Sequence, residues 1–227
     1  MSWNDSFRAG LEGEPIVALA PLPMQESSDL SLGLLSSDGR FKRLPLAEVL
    51  DLSGRATSVV KLKDGVQLKA AVICREHHDL ILVSDIGRML RLPINEDVLP
   101  LMGRLAQGPM TMRLLPGEQL IGALCPLEPT VLLVSEQGQF ARIDLTSIRS
   151  SQRGDLGSMA IRITGDTDRI TGITETNGLI GIVSTEQRHG RIDPTTLEIT
   201  NPGDTFSNQI ELHQGEAITV LVPQISG

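Results

Sequence analysis

The chain has 227 residues, enough for one large domain or two small ones, and its 40% apolar and 21% charged residues are ordinary for a globular protein. A formal net charge of −8 argues against a uniformly basic coat for nucleic acid but leaves a local basic stripe open. Two cysteines do not make a disulfide framework, the polar N-terminus is unlike a signal peptide, and no apolar run reaches the roughly 18 residues of a spanning helix. We therefore predict a bacterial, cytoplasmic protein with no membrane association.

Four hairpins follow one another along the chain, each built from an apolar run, a polar turn and a strand that carries an arginine. They span residues 32–46, 80–94, 131–145 and 179–194. Gly39, Gly87 and Gly138 occupy matching turn positions. The fourth hairpin is predicted to have a longer turn, with its glycine shifted to Gly190. After the first hairpin, residues 45–54 are predicted to form one helical turn between a proline and a glycine.

A second apolar strand recurs between the hairpins and begins at residues 13, 65, 117, 167 and 215, about 50 residues apart. Alternating apolar and polar residues at 110–114 and 159–163 indicate the strand that closes each unit. We therefore predict an all-β, propeller-like array in one domain, 1–227, with about four strands per unit. Its repeat units are 13–64, 65–116, 117–166 and 167–214. Closing strands 1–12 and 215–227 are predicted to complete one more blade together, because an isolated strand leaves an unpaired edge.

Cations recur at two positions of the repeat. The first column is Arg43, Arg91, Arg142 and Arg191, and the second is Lys61, Arg113 and Arg162, with Glu211 in the last unit. The loops between units add Arg55, Arg104 and Arg153, each beside a glycine. Regularly spaced charge suits the phosphates of a polyanion, which require no base reading. The alternative, simpler for any one arginine taken alone, is that each braces its own blade through loop carbonyls or a neighbouring carboxylate.

Two stretches of the sequence resemble the repeats of the C-terminal domain of DNA gyrase A and of its topoisomerase IV counterpart. They are MGRLAQGPMTMRLLPGEQLIGAL (102–124) and VLLVSEQGQFARIDL (131–145). The resemblance implies a β-pinwheel, a ring or spiral of four-stranded blades that exchange strands with their neighbours. It also implies a non-catalytic accessory module of a type IIA topoisomerase. Such a module binds duplex DNA on a basic outer rim, bends or wraps it, and passes it to the topoisomerase catalytic core.

Gyrase-type domains carry a basic box, Gln-Arg-Arg-Gly-Gly-Lys-Gly, and the nearest stretch here is SQRGDLG (151–157). Gln152 and Arg153 match the box, but Asp155 and Leu156 stand where glycine and lysine belong. A carboxylate at that point repels phosphate, so we expect bending of the topoisomerase IV type rather than full wrapping. The alternative function is an acidic protein–protein interaction or regulatory pinwheel that no longer wraps DNA.

The sequence contains no motif that favours catalysis. The chain has no tyrosine, which excludes tyrosyl DNA cleavage, and it lacks the phosphate-binding loop of nucleotide hydrolases. The stretch EHHD (76–79) is interpreted as a polar hairpin turn, since neighbouring side chains in a strand point to opposite faces. Cys74 and Cys125 are interpreted as core residues. We expect no catalytic residue, cofactor or metal and a monomeric isolated domain; an enzyme on a propeller-like ring ranks third among the functions.

Overall fold

The computed structural model describes residues 16–23, 27–50, 57–165 and 167–223. Fifteen strands and one short helix lie in these ranges. In chain order they are β1 (Leu30–Ser36), β2 (Phe41–Pro45), α1 (Ala47–Leu50), β3 (Leu68–Arg75), β4 (Asp79–Ser84), β5 (Arg88–Pro93), β6 (Leu120–Leu124), β7 (Thr130–Ser135), β8 (Gln139–Asp144), β9 (Ser158–Met159), β10 (Ile170–Glu175), β11 (Ile180–Ser184), β12 (His189–Ile192), β13 (Ile199–Thr200), β14 (Asn208–Gln209) and β15 (Ile218–Pro223). The predicted all-β class and the helical turn within 45–54 are confirmed. Two 3₁₀ turns, Leu145–Ser147 and Pro194–Thr196, follow β8 and β12.

Each hairpin and the strand that follows it form one antiparallel sheet, which we call a blade. Blade 1 has the strand order β2-β1-β3, blade 2 has β5-β4-β6, blade 3 has β8-β7-β10, and blade 4 has β12-β11-β15. The C-terminal strand β15 pairs with β11 from Ile180↔Pro223 onward. It therefore completes the fourth blade and does not begin a further one, a correction to the predicted closing role of 215–227. The other predicted closing strand, 1–12, lies outside the described residues.

The outermost strand of a blade is contributed by the unit that follows it. After the second, third and fourth hairpins a connector runs back to the preceding blade before the chain returns to its own. In this way β9 pairs with β5 of blade 2, and β13 and β14 pair with β8 of blade 3. In blade 1 the same connection is made by single bridges, Arg40↔Met110 and Arg43↔Leu101. Within the described ranges no strand covers the outer edge of β12 in blade 4.

The core lies between the blades, and the central strands of blades 1 to 3 are buried on both faces, whereas blade 4 is buried on one face. In β4, Leu82 packs towards blade 1 with Leu35 and Phe41, while its neighbour Ile81 packs towards blade 3 with Leu133. Successive side chains of a strand point to opposite faces, so burial on both faces requires an uninterrupted apolar run. This requirement accounts for the runs LILV and VLLV of the second and third hairpins.

The four hairpin turns have the same length. Gly39, Gly87 and Gly138 have φ values of +85°, +86° and +77°, and Gln187 takes the equivalent place with φ +61°. In each turn this residue donates its N–H to the carbonyl of the serine three residues earlier. The prediction of a longer fourth turn with its glycine at Gly190 is therefore wrong. A left-handed glutamine occupies that place, and no pattern of glycines marks it.

Candidate nucleic-acid interface

The first column of arginines lies one strand inside the outer edge of the blades. The Arg43 side chain is 1% exposed; its Nε donates to Ser31 Oγ at 3.2 Å, and its Nη2 forms an ion pair with Glu76. Arg91 Nε lies 2.8 Å from Asp79 Oδ2, and its Nη1 donates to the carbonyl of Leu145 at 2.7 Å. These contacts join each arginine to its own blade, and that of Arg91 also holds the connector that arrives from the next unit.

Arg142 repeats the pattern more loosely, since its Nη1 lies 3.4 Å from the carbonyl of Thr195 and 3.5 Å from that of Leu197. Arg191 is exposed on β12, the strand whose outer edge has no covering connector among the residues described. The bracing alternative therefore describes the contacts of Arg43, Arg91 and Arg142, and Arg191 keeps its guanidinium in solvent.

The second column lies in the connectors between each hairpin and the strand that completes its blade, outside the named strands. Lys61, Arg113 and Arg162 are all exposed, as is Glu211 in the last unit. Arg113 Nε donates to the carbonyl of Gly154 at 2.5 Å. The backbone N–H of Arg113 donates to the backbone carbonyl of Asp155, and that of Arg162 donates to the backbone carbonyl of Asp204. Each cation therefore lies against the loop of the next connector, at the perimeter of the array.

Those loops carry the third group of predicted residues. The Arg104 side chain is 46% exposed and lies 3.8 Å from Glu48. Gln152 and Arg153 are exposed at the corresponding place of the next loop. The Asp155 carboxylate turns back to accept the backbone N–H of Gln152 at 3.1 Å. Arg55, the remaining predicted loop cation, lies outside the described residues.

The connector cations and the loops of the next connectors lie together at three positions along the perimeter, which we call rim stations. Station one contains Lys61 and the loop 102–108, which share a small concavity through Gln107. Station two contains Arg113 and the loop 151–157, and station three contains Arg162 and the loop 201–207. Stations one and two have a loop arginine, whereas station three has Asp204. Positive charge along the rim therefore declines towards the C-terminus, where Glu211 follows.

A buried lysine that the repeat comparison missed positions the first loop. Lys42 Nζ donates to the carbonyl of Arg104 at 2.6 Å and to that of Val59 at 2.7 Å. Desolvation by burial lowers the pKa of Lys42. The corresponding residues of the second and third hairpins are Leu90 and Ala141, so no repeated pattern pointed to this lysine.

A further column of ion pairs, also missed, lies at the turn end of the hairpins. Arg88 Nε donates to Glu118 Oε1 at 2.8 Å, and Arg188 Nη1 donates to Glu216 Oε2 at 2.7 Å. Burial raises the pKa of Glu118, but hydrogen bonds from Arg88, from the Leu115 N–H and from Ser84 outweigh it and hold that pKa below its usual range. The signal was present in the sequence: a glutamate follows the glycine at both 117–118 and 215–216.

The histidines and carboxylates singled out as metal candidates have structural contacts. Residues 76–78 form the turn between β3 and β4, with His77 at φ +64°, and Asp79 begins β4, so the stretch is a hairpin turn as the sequence predicts. Elsewhere in the described ranges, Glu186, His213 and Glu216 bring ligand atoms within 4.8 Å of one another. Glu216 already accepts hydrogen bonds from Arg188 and Ser184, so this group belongs to the bracing of blade 4.

Antiparallel blades whose outermost strands come from the following unit, with exposed cations repeated in the connectors, are the features of the β-pinwheel class. Among the residues described, no helix has the length and apolar character needed to cross a bilayer.

Comparison with known proteins places the chain within that class. A family profile described as DNA gyrase C-terminal domain, beta-propeller, matches residues 34–75, 78–126 and 129–177, which together make up more than half of the chain. The A subunit of DNA topoisomerase 4 from Synechocystis sp. is 30% identical over 205 residues, covering 86% of this chain and 20% of that protein. The A subunit of DNA gyrase from Mycolicibacterium smegmatis is 27% identical over 192 residues, covering 77% of this chain and 23% of that protein.

Solved structures agree on the fold. A DNA gyrase A C-terminal domain superposes with a TM-score of 0.75 at 20% identity, covering 88% of this chain and 67% of that one. The C-terminal domain of DNA topoisomerase IV superposes with a TM-score of 0.75 at 15% identity, covering 88% and 64%. The chain belongs to the DNA gyrase A C-terminal domain family, a family of accessory domains of type IIA topoisomerases. It spans about a fifth of the length of the curated relatives named above.

Proposed function

We propose that this pinwheel binds duplex DNA along its rim and bends it, as a non-catalytic accessory module that works with a type IIA topoisomerase core in the bacterial cytoplasm. The observation that carries the proposal is the repeated exposed cation of the connectors: Lys61, Arg113 and Arg162 occupy equivalent places on successive rim stations. The loop arginines Arg104 and Arg153 extend the charge at the first two stations, beside glycines that let a phosphate approach the backbone.

The proposed contacts are to phosphates and not to base edges. The affinity should therefore show little sequence preference and should fall linearly on a logarithmic salt scale, with a slope of about −0.9 per neutralised phosphate. The first column contributes less to this surface than the sequence indicates. Arg43 is buried, and Arg91 and Arg142 are committed to carbonyls and carboxylates of the fold.

Bending is favoured over wrapping by the decline of charge along the rim. A full wrap requires cations at every station, whereas station three has Asp204 and the last unit has Glu211. A duplex held at the first two stations would be deflected there and would leave the rim near blade 3. Ligation of a nicked circle in the presence of the protein distinguishes the two modes, because wrapping changes the linking number and bending alone does not.

The direct test is duplex binding by fluorescence anisotropy across a salt series, with two unrelated sequences. We expect steeply salt-dependent binding that is similar for both sequences. Absence of binding at low salt would overturn the proposal. It would leave the second candidate, a protein-interaction or regulatory pinwheel. The net charge of −8 favours that candidate, as does the exposed side chain of Leu105, a residue that is 73% exposed on the first loop.

A further inference from the structure

The two cysteines of the chain meet across the boundary between blades 1 and 2. Cys74 lies in β3 of blade 1, and Cys125 directly follows β6 of blade 2. The two strands face each other, and the Sγ atoms are 3.4 Å apart, with both thiols free. A disulfide bond is about 2.05 Å long, so small side-chain movements close the remaining gap.

The two cysteines differ in burial. Cys74 is fully buried above Gly33, where an added methyl group would lie 2.7 Å from its Sγ. Cys125 is the less buried residue of the two, so its sulfur is the first that a small reagent would meet. Nearby, the Nη1 of Arg43 is a buried donor without a hydrogen-bond partner among the residues described. The pair thus joins a fully buried sulfur to a less buried one beside a positive charge.

Two effects act in opposite directions on the ionisation of this pair. The hydrogen bond with Cys74, burial and the Glu175 carboxylate raise the pKa of the Cys125 thiol well above its usual range, while the Arg43 guanidinium favours the thiolate. Because the thiolate is the nucleophile, the pair should react slowly at neutral pH and faster in alkaline solution.

We propose that Cys74 and Cys125 form an oxidation site whose substrate is a small-molecule disulfide and whose product is a disulfide bond between blades 1 and 2. The Cys125 thiolate attacks the small disulfide, forms a mixed disulfide and releases one small thiolate. The Cys74 thiolate then attacks the Cys125 sulfur, which forms the protein S–S bond and releases the second small thiolate. The two cysteines lose two electrons and two protons, and the small disulfide is reduced to two thiols.

The bond would join residues that are 51 apart in sequence and belong to two different blades. It would constrain the unfolded chain, because it closes a long loop, and it would fix the angle between the first two blades. Rim stations one and two lie at the outer edges of the same pair of blades, so the oxidation state of this pair would set the curvature of the most positively charged part of the rim.

The test incubates the full chain with buffers of increasing ratio of oxidised to reduced glutathione and measures the intact mass and the free thiols. We expect loss of two hydrogens without added glutathione, faster conversion at pH 8.5 than at pH 7, and a monomer on size exclusion. Oxidation should raise Tm by about 5–15 °C. The variants C125S and C74A serve as matched controls, and in neither should the oxidant raise Tm.

Three results would overturn the proposal. The thiols of the folded wild type stay free at the most oxidising ratio, or the mixed disulfide with glutathione accumulates without resolving, or the protein disulfide forms only in denaturant. Each is read on the wild type, so a failure of either variant to fold leaves the outcome clear. DNA binding is not among the readouts, and the result is therefore independent of the proposed function.

Discussion

At the scale of single residues, a repeated arginine has two different environments in this fold. On β5, the strand just inside the outermost one, Arg91 is three-quarters buried, and its side chain bonds both Asp79 and a connector carbonyl. In the connector, Arg113 is exposed and its side chain donates to a single loop carbonyl. The same residue type therefore stabilises the exchange of strands in one column and is available to a ligand in the other.

This difference predicts a clear loss of stability for one substitution and almost none for the other. Arg91→Ala should lower the free energy of unfolding by about 1–3 kcal/mol, because connector carbonyls lose a charged donor. Arg113→Gln should change that energy by less than about 0.5 kcal/mol, since it is a surface substitution. Urea denaturation at pH 7 measures both. A stable Arg91→Ala protein, or an unstable Arg113→Gln protein, would contradict these assignments.

The buried pair of Arg88 and Glu118 predicts an acid-sensitive fold. Because the pKa of Glu118 is below its usual value of 4.5, its contribution to stability is complete above about pH 4.5. That contribution is lost as the pH falls through the lower pKa of the folded state. Glu118→Gln leaves Arg88 buried without its counter-charge and should cost about 3–5 kcal/mol at pH 7.

Urea denaturation at pH 7 and at pH 3 tests this pair. The loss caused by Glu118→Gln should be smaller at pH 3, because this pH lies below the usual pKa of 4.5 and the unfolded chain then gains a proton that the folded carboxylate resists. The matched control is Glu136→Gln, a change of an exposed glutamate on the third hairpin turn. An equal loss at both pH values would show that packing, and not charge, accounts for the effect.

At the scale of elements, the residue with positive φ in each hairpin turn depends on whether a connector packs against that turn. A Cβ atom on Gly87 would lie 2.3 Å from the carbonyl oxygen of Ile161, and one on Gly39 would lie 2.1 Å from that of Met112. Glycine is therefore required by the positive φ and by the approaching strand. Gln187 occupies the equivalent turn of blade 4, where no connector is described, and so only the φ requirement remains.

Exchanging these two residue types tests the interpretation. Gly87→Gln should destabilise the fold by about 2–4 kcal/mol, because strain in the left-handed region adds to a clash with the connector. The reciprocal change, Gln187→Gly, should leave stability unchanged or raise it by up to about 1 kcal/mol. Thermal or urea unfolding gives both values. Equal losses in the two variants would indicate that the fourth turn is also covered.

The hairpins and the repeat were predictable from the sequence, because a turn glycine and an apolar run mark each one locally. Strand exchange was not predictable from spacing alone. Arg88 pairs with Met159, far along the chain, and a two-residue strand such as β9 carries no periodicity. The burial of Arg43 depends on Glu76 and on the connector above it, and neither contact is visible in a column of aligned arginines.

At the scale of the whole molecule, an acidic chain has a locally basic rim. The net charge of −8 would repel DNA at long range. The exposed cations of stations one and two come from different units, and the exchange of strands brings them together. Strand exchange therefore serves two purposes in this account. It covers the outer edges of blades 2 and 3 and bridges that of blade 1, and it places a connector cation beside a loop arginine.

The measurement that tests the central claim most directly is the salt dependence of duplex binding by a station-two variant, Arg113→Gln with Arg153→Gln. The proposed phosphate contacts predict that the slope of log K against log salt becomes shallower by about 2, at unchanged stability. The control is Arg75→Gln, which removes an equally charged, 45% exposed side chain from the return strand β3. An unchanged slope in the double variant, or the same loss in the control, would contradict a DNA-binding rim.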